Sequence, residues 1–126
     1  MLQFGKYLKN KMGSTPIFEP LNELKDLSFA ELTIAQIKKD FARISVDFNF
    51  QKDKKIELKK QLIAEVEKTI SNLTSIELQQ FIYLIDLKET DFHSASHHEN
   101  FLEILSEKIL YREAYKVFLR KYYSYR

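Results

Sequence analysis

No glycine occurs after Gly13 and no proline after Pro20 in this 126-residue chain. Tight turns draw on glycine, proline and asparagine, so a sheet-rich fold of this length would lack its usual connections. The same absence removes glycine-rich phosphate loops, and with them P-loop and dinucleotide-binding fingerprints. Helices need none of these residues in their interiors. The expected fold class is therefore all-α, a single-domain bundle of about five helices ending in a long C-terminal one.

Composition fits that frame. Hydrophobic residues are 44% and charged residues 30% of the chain, ordinary for a globular domain. The longest uncharged apolar run, Phe81 to Ile85, is far short of the ~20 residues needed to cross a bilayer. There is no cysteine, hence no disulfide framework, thiol nucleophile or cysteine-based metal site.

The apolar spacing places the elements. Residues 1–19 read as a short amphipathic helix (Leu2, Phe4, Leu8 and Met12 against Lys6, Lys9 and Lys11) followed by a linker. Residues 20–126 read as the helical domain. Pro20 suits a first helical position and opens a short helix to about Leu27. Ala30, Ile34, Ile37, Phe41, Ile44 and Phe48 step by three and four, predicting a helix to about Phe48 with a start at Ser28 or Thr33. The alternation of Ile44, Val46, Phe48 and Phe50 supports a rival extended reading. A lone strand has no partner for its backbone hydrogen bonds, so helix is preferred there.

Asp53 is the expected cap of a helix over 54–73, antiparallel to the one before it. Thr74 and Glu77 make a capping box for a helix to about Leu87. That helix is apolar nearly all round, which predicts the central position, with Tyr83 in the core. Residues 89–96 read as a polar loop. The expected core holds Ile37, Phe41, Ile44, Ile63, Val66, Ile70, Phe81, Ile82, Ile85, Leu102, Leu105 and Ile109.

The last helix, opened by a Ser96–Glu99 capping box and running to about Tyr123, carries two apolar faces. Phe101, Leu102, Ile104, Leu105 and Ile109 share one. Leu110, Tyr111, Ala114, Tyr115, Val117, Phe118 and Tyr122 share another, more than about 120° round at 100° per residue. If the helix is unbroken, each half needs its own cover. The second set is accordingly expected to form an interface with a protein partner or a second copy of the chain.

Opposite that set, Lys108, Arg112, Lys116 and Arg120 step by four as a basic face. Basic faces read phosphate backbones and aromatic rings stack on unpaired bases. Here most tyrosines lie on the other side of the helix, and the formal net charge is only +2. A nucleic-acid-associated role is therefore the alternative, and a solvated basic face the preferred reading.

All three histidines fall in DFHSASHHENF, where Asp91, His93, His97, His98 and Glu99 are the ligand types for zinc or nickel. No second ligand cluster completes such a site, and no metal or cofactor is assigned. Catalytic motifs are missing: there is no HExxH pattern and no nucleophile elbow. Asp40, Asp47 and Asp86 are read as surface carboxylates; a buried Asp86 would need Arg112 or Lys88 as partner. The chain is thus expected to be a non-enzymatic, cytoplasmic protein-interaction module that associates through its aromatic C-terminal helix.

Overall fold

The computed structural model describes residues 19–123, with side chains as far as Lys121. The expected helix over 1–12, its linker, and the Tyr122 side chain lie outside the described residues. The fold is an all-α bundle of a 3₁₀ helix, Pro20–Lys25, and five α-helices: α1 Leu27–Ala42, α2 Leu58–Ser71, α3 Ser75–Leu84, α4 Glu89–Ser96 and α5 Phe101–Tyr123. Among the described residues there is no β-strand.

Asp26 caps α1, its carboxylate accepting from the Phe29 amide at 3.2 Å, so Ser28 and Thr33 lie inside the helix rather than at its start. The buried Thr33 hydroxyl is satisfied locally, donating to the Phe29 carbonyl at 2.9 Å. The helix stops at Ala42, six residues before the expected end. Ser45 takes the left-handed conformation at φ 62°, its amide donates to Ala42 O and the Val46 amide to Phe41 O. This is a Schellman closure made without glycine. The chain then runs without regular secondary structure through 46–53, with Phe48 buried, Val46 and Phe50 half-buried, and Asp47 and Asn49 exposed. The alternation in sequence therefore reflects a segment lying along the core, paired to no strand. Phe41 stacks on Phe48, centroids 5.6 Å apart, and on Phe81 at 4.1 Å.

Asp53 organises a turn rather than capping α2. Its carboxylate accepts from Lys55 N at 2.9 Å, and Gln61 reaches back to the Asp53 and Ile56 backbone. The α3 capping box forms as the sequence indicates, with Glu77 N donating to Thr74 Oγ1 and Thr74 N to Glu77 Oε1. A second Schellman closure ends α3, with Asp86 at φ 60°, its amide on Tyr83 O and the Leu87 amide on Ile82 O. Residues 89–96 are not a loop. They form α4, whose acidic first turn suits the helix dipole and which buries Ala95. Ser96 makes no capping box with Glu99; its hydroxyl donates to His93 O at 2.7 Å.

The arrangement corrects two expectations. α1 and α2 do not pack as a hairpin, because α5 lies against both of them, and also against α4 and the 3₁₀ helix. The central element is thus α5. α3 is peripheral, touching mainly α1, and its Tyr83 is 88% exposed rather than core.

Candidate functional site

α5 runs unbroken for 23 residues, ~34 Å. Its buried positions advance in pairs: Leu105 with Ser106, Ile109 with Leu110, Glu113 with Ala114, Val117 with Phe118. Four residues turn the helix through 400°, so each pair sits ~40° further round than the last. The buried stripe winds steadily, and neighbouring elements follow it. The aliphatic members of the second apolar set and Phe118 therefore find their cover inside the chain. Leu110, Ala114, Val117 and Phe118 are buried and cannot present an interface in this fold. Tyr115 is half-buried, and Tyr111 is exposed and stacked on it with centroids 6.3 Å apart.

The basic face is tied down in the same way. Lys108 pairs with Asp91 of α4 at 3.6 Å. Arg112 Nε donates to the Ile85 carbonyl at 2.9 Å, and Nη2 lies 3.5 Å from the exposed Asp86 carboxylate. Its first bond satisfies a carbonyl at the end of α3, one of the groups a helix leaves without an internal partner. Lys116 donates to Asp40 of α1 at 2.6 Å. Arg120 donates to the side-chain oxygen of Gln36, also on α1. One row at spacing four thus fastens α5 to three other helices, and the reading of a solvated face does not hold.

The row closes over a polar group in the α1–α5 seam. Asp40 is 1% exposed and Glu113 not exposed at all. Asp40 Oδ2 accepts from Lys116 and, at 3.0 Å, from Gln36 Nε2. Burial by itself would raise the Asp40 pKa, but its hydrogen bonds with Glu113, Lys116 and Gln36 outweigh that and hold it below the usual carboxylate range. Glu113 goes the other way. Burial first, and then the hydrogen bond and like charge of Asp40, push its pKa up to about 8 against the pull of Lys116. Lys116 Nζ lies 3.2 Å from Glu113 Oε1, yet neither Glu113 oxygen accepts a hydrogen bond of acceptable geometry. The two facts agree if Glu113 is the protonated acid and donates to the Asp40 carboxylate. At neutral pH the seam then holds one buried anion, one ammonium and one neutral acid.

A protonated acid beside a carboxylate is also how general acids are prepared in enzymes. Here both carboxyls are shut away from solvent, with Lys116 on the outer side. The 460 Å³ groove lies elsewhere, against the 45–49 segment, and is lined in part by Asp47, Asn49, Glu65, Lys68, Asn72 and Glu77. The pair can therefore position and neutralise, and neither carboxyl lines that groove. Asp40 is thus buried rather than the surface carboxylate the sequence suggests, Gln36 bonds to it instead of closing a capping box with Thr33, and nothing in the sequence analysis singles out Glu113. The signal for Glu113 was available: Ile109, Leu110 and Val117, at its i−4, i−3 and i+4 positions, are all apolar.

Exposure of a different kind occurs on α3. Ile76 is 70% and Tyr83 88% exposed. Seven residues apart, they share a helical face, with the exposed and uncharged Gln79 and Gln80 between them. Among the described residues, no helix is long and apolar enough to cross a membrane. No protein-family model matches the chain, and comparison with curated proteins and with solved structures gives no match either.

Proposed function

We propose that the chain is a non-enzymatic helical interaction module that docks a protein partner, or a second copy of itself, through the outer face of α3. The observation that carries this reading is the Ile76–Gln79–Gln80–Tyr83 face: uncharged, aromatic at one end, and borne by a rim helix packed mainly against α1. Depletion of charge together with tyrosine marks the central part of protein interfaces. The surface differs from the one the sequence favours, since Leu110, Ala114, Val117 and Phe118 of that α5 set are buried in the chain's own core. The cytoplasm stays the proposed compartment, resting on the sequence alone. The nucleic-acid alternative is weakened, because all four cations of its basic face are engaged by Asp91, Asp86, Asp40 and Gln36.

A photo-crosslinking residue at position 83, compared in the native host with one at the exposed Lys60, tests the proposal. The expected result is a discrete adduct from position 83 that position 60 does not give. Equal or absent crosslinking at the two positions would overturn the α3 surface.

A further inference from the structure

We propose that His93 and His97 form a two-imidazole clamp for a borderline divalent cation such as Cu²⁺, Ni²⁺ or Zn²⁺. The helical i, i+4 spacing of α4 brings their Nε2 atoms to 3.2 Å. Two imidazole nitrogens on one ion, at ~2.0–2.1 Å each and a near-tetrahedral angle, lie about 3.3 Å apart. The rings stand at 87° with centroids 4.7 Å apart. A straight N–H···N hydrogen bond at this nitrogen separation would hold the centroids about 5.5 Å apart, because each ring extends directly away from the other. A shared ion bends the two rings toward a common point and gives about 5 Å. The observed geometry is nearer to the chelate.

Position and chemistry agree with that geometry. His93 is in the last turn of α4 and His97 is its C-cap, where the negative end of the helix dipole favours a cation. Both rings are exposed, so an ion reaches them without unfolding. Neutral imidazoles suit copper, nickel and zinc, and not magnesium or calcium, whose preferred donors are oxygens. Among the described residues, no group of three histidine, aspartate or glutamate side chains could hold an ion. Asp91, the nearest acidic residue before the pair, is turned to Lys108. The clamp therefore supplies two donors, and water or a donor from another molecule fills the remaining positions. His98 is ~100° further round the helix path than His97 and stays outside the clamp.

The test is calorimetric titration of the full chain at about pH 7.5, with Cu²⁺ and Zn²⁺ as probes and Mg²⁺ as control. One ion binds per chain, copper more tightly than zinc, and Mg²⁺ does not bind. His93→Ala and His97→Ala each weaken copper binding by about tenfold or more, while His98→Ala leaves it unchanged. Circular dichroism of the variants checks that α4 and the rest of the bundle stay folded. Absence of copper binding to the wild-type chain at about 1 mM overturns the proposal. So does a His98→Ala loss as large as that of His97→Ala, which would place the donors elsewhere in the loop.

Discussion

α3 and α5 invert what their compositions suggest. α3 contains Phe81–Leu84, most of the longest apolar run, and a single carboxylate, Glu77, yet it lies at the rim with Ile76 and Tyr83 in water. α5 has charged residues throughout, yet it is the helix around which the others pack. Ten residues of α3 span ~15 Å, enough to cover one side of a neighbour; 23 residues of α5 span ~34 Å and can be surrounded. A helix becomes central when it is long enough to be wrapped and when its apolar row runs continuously along it. Charges near that row are tolerated if each reaches a partner, as Lys108, Arg112, Lys116 and Arg120 do. Mean apolarity does not report either condition.

The largest effect that would break this contrast lies in the buried aromatic contact of α3. Phe81 is fully buried against Phe41. Phe81→Ala should cost ~3–5 kcal/mol, for lost burial and the cavity left beside Phe41. A loss below ~1 kcal/mol in urea unfolding would mean that α3 is held by something other than this stack. On α5, Lys116→Met keeps the stem and removes the ammonium, leaving the Asp40 carboxylate buried without its counter-charge. About 3 kcal/mol is expected at neutral pH, the low end for a broken buried pair because Lys116 itself is partly exposed. An additional Asp40→Asn change should recover much of that loss, and failure to do so would show that the ion pair is not what fastens α5 to α1.

The pH dependence sharpens the same point. Glu113 has a folded pKa raised to about 8 from an ordinary 4.5. Between those values the folded chain holds a proton that the unfolded chain releases. Stability is thus fully present below about 4.5 and falls as pH rises toward 8, by at most ~1.4 kcal/mol per pH unit. Relaxation and water entry should limit the total to about 2 kcal/mol. Asp40 works in the opposite sense, since its lowered pKa gives stability that is lost as pH falls through that folded value. Glu113→Gln keeps the shape, donates to Asp40 and cannot ionise. Its stability should be level from about pH 5 to 8 where that of the wild type declines; parallel curves would show that Glu113 is not the titrating group.

The legible part of the molecule is the part governed by local rules. Missing glycine and proline imply helices, Thr74 and Glu77 imply a cap, and the threes and fours through Ile37, Phe41, Val66 and Ile70 mark buried faces. Helix ends were illegible where a Schellman turn is closed by Ser45 or Asp86, because the usual mark is glycine. The partners of the basic row were illegible because, Asp91 apart, they come from residues 26 to 84 positions away. Spacing shows which cations share a face, but not which carboxylate on another helix will meet them. The apolar residues of α5 read from the sequence as two sets; that one chain covers the buried members of both depends on the gradual winding of the stripe, which appears only when successive buried pairs are followed at 40° intervals.

A smaller effect tests the closure of α1. Ser45 holds φ 62° without the freedom of glycine. Ser45→Gly relieves that strain, set against the greater unfolded-state entropy of glycine, for a net gain of up to about 1 kcal/mol. A loss instead would mean that the serine side chain contributes to the turn more than its backbone conformation costs.

The smallest expected effect is on α3's outer face, and its smallness matters to the comparison. Tyr83 is 88% exposed, so Tyr83→Asp removes almost no buried surface and should change stability by no more than ~0.5 kcal/mol. The same substitution places a charge in the middle of an uncharged face and should abolish capture of whatever protein binds there, since an unpaired charge in an interface core is strongly disfavoured. Denaturant unfolding and crosslinking from position 76, measured on the same variant, separate the two roles. Intact stability with lost crosslinking assigns the face to a partner. A loss of several kcal/mol would instead place Tyr83 in the chain's own packing and return α3 to the core position its sequence suggests.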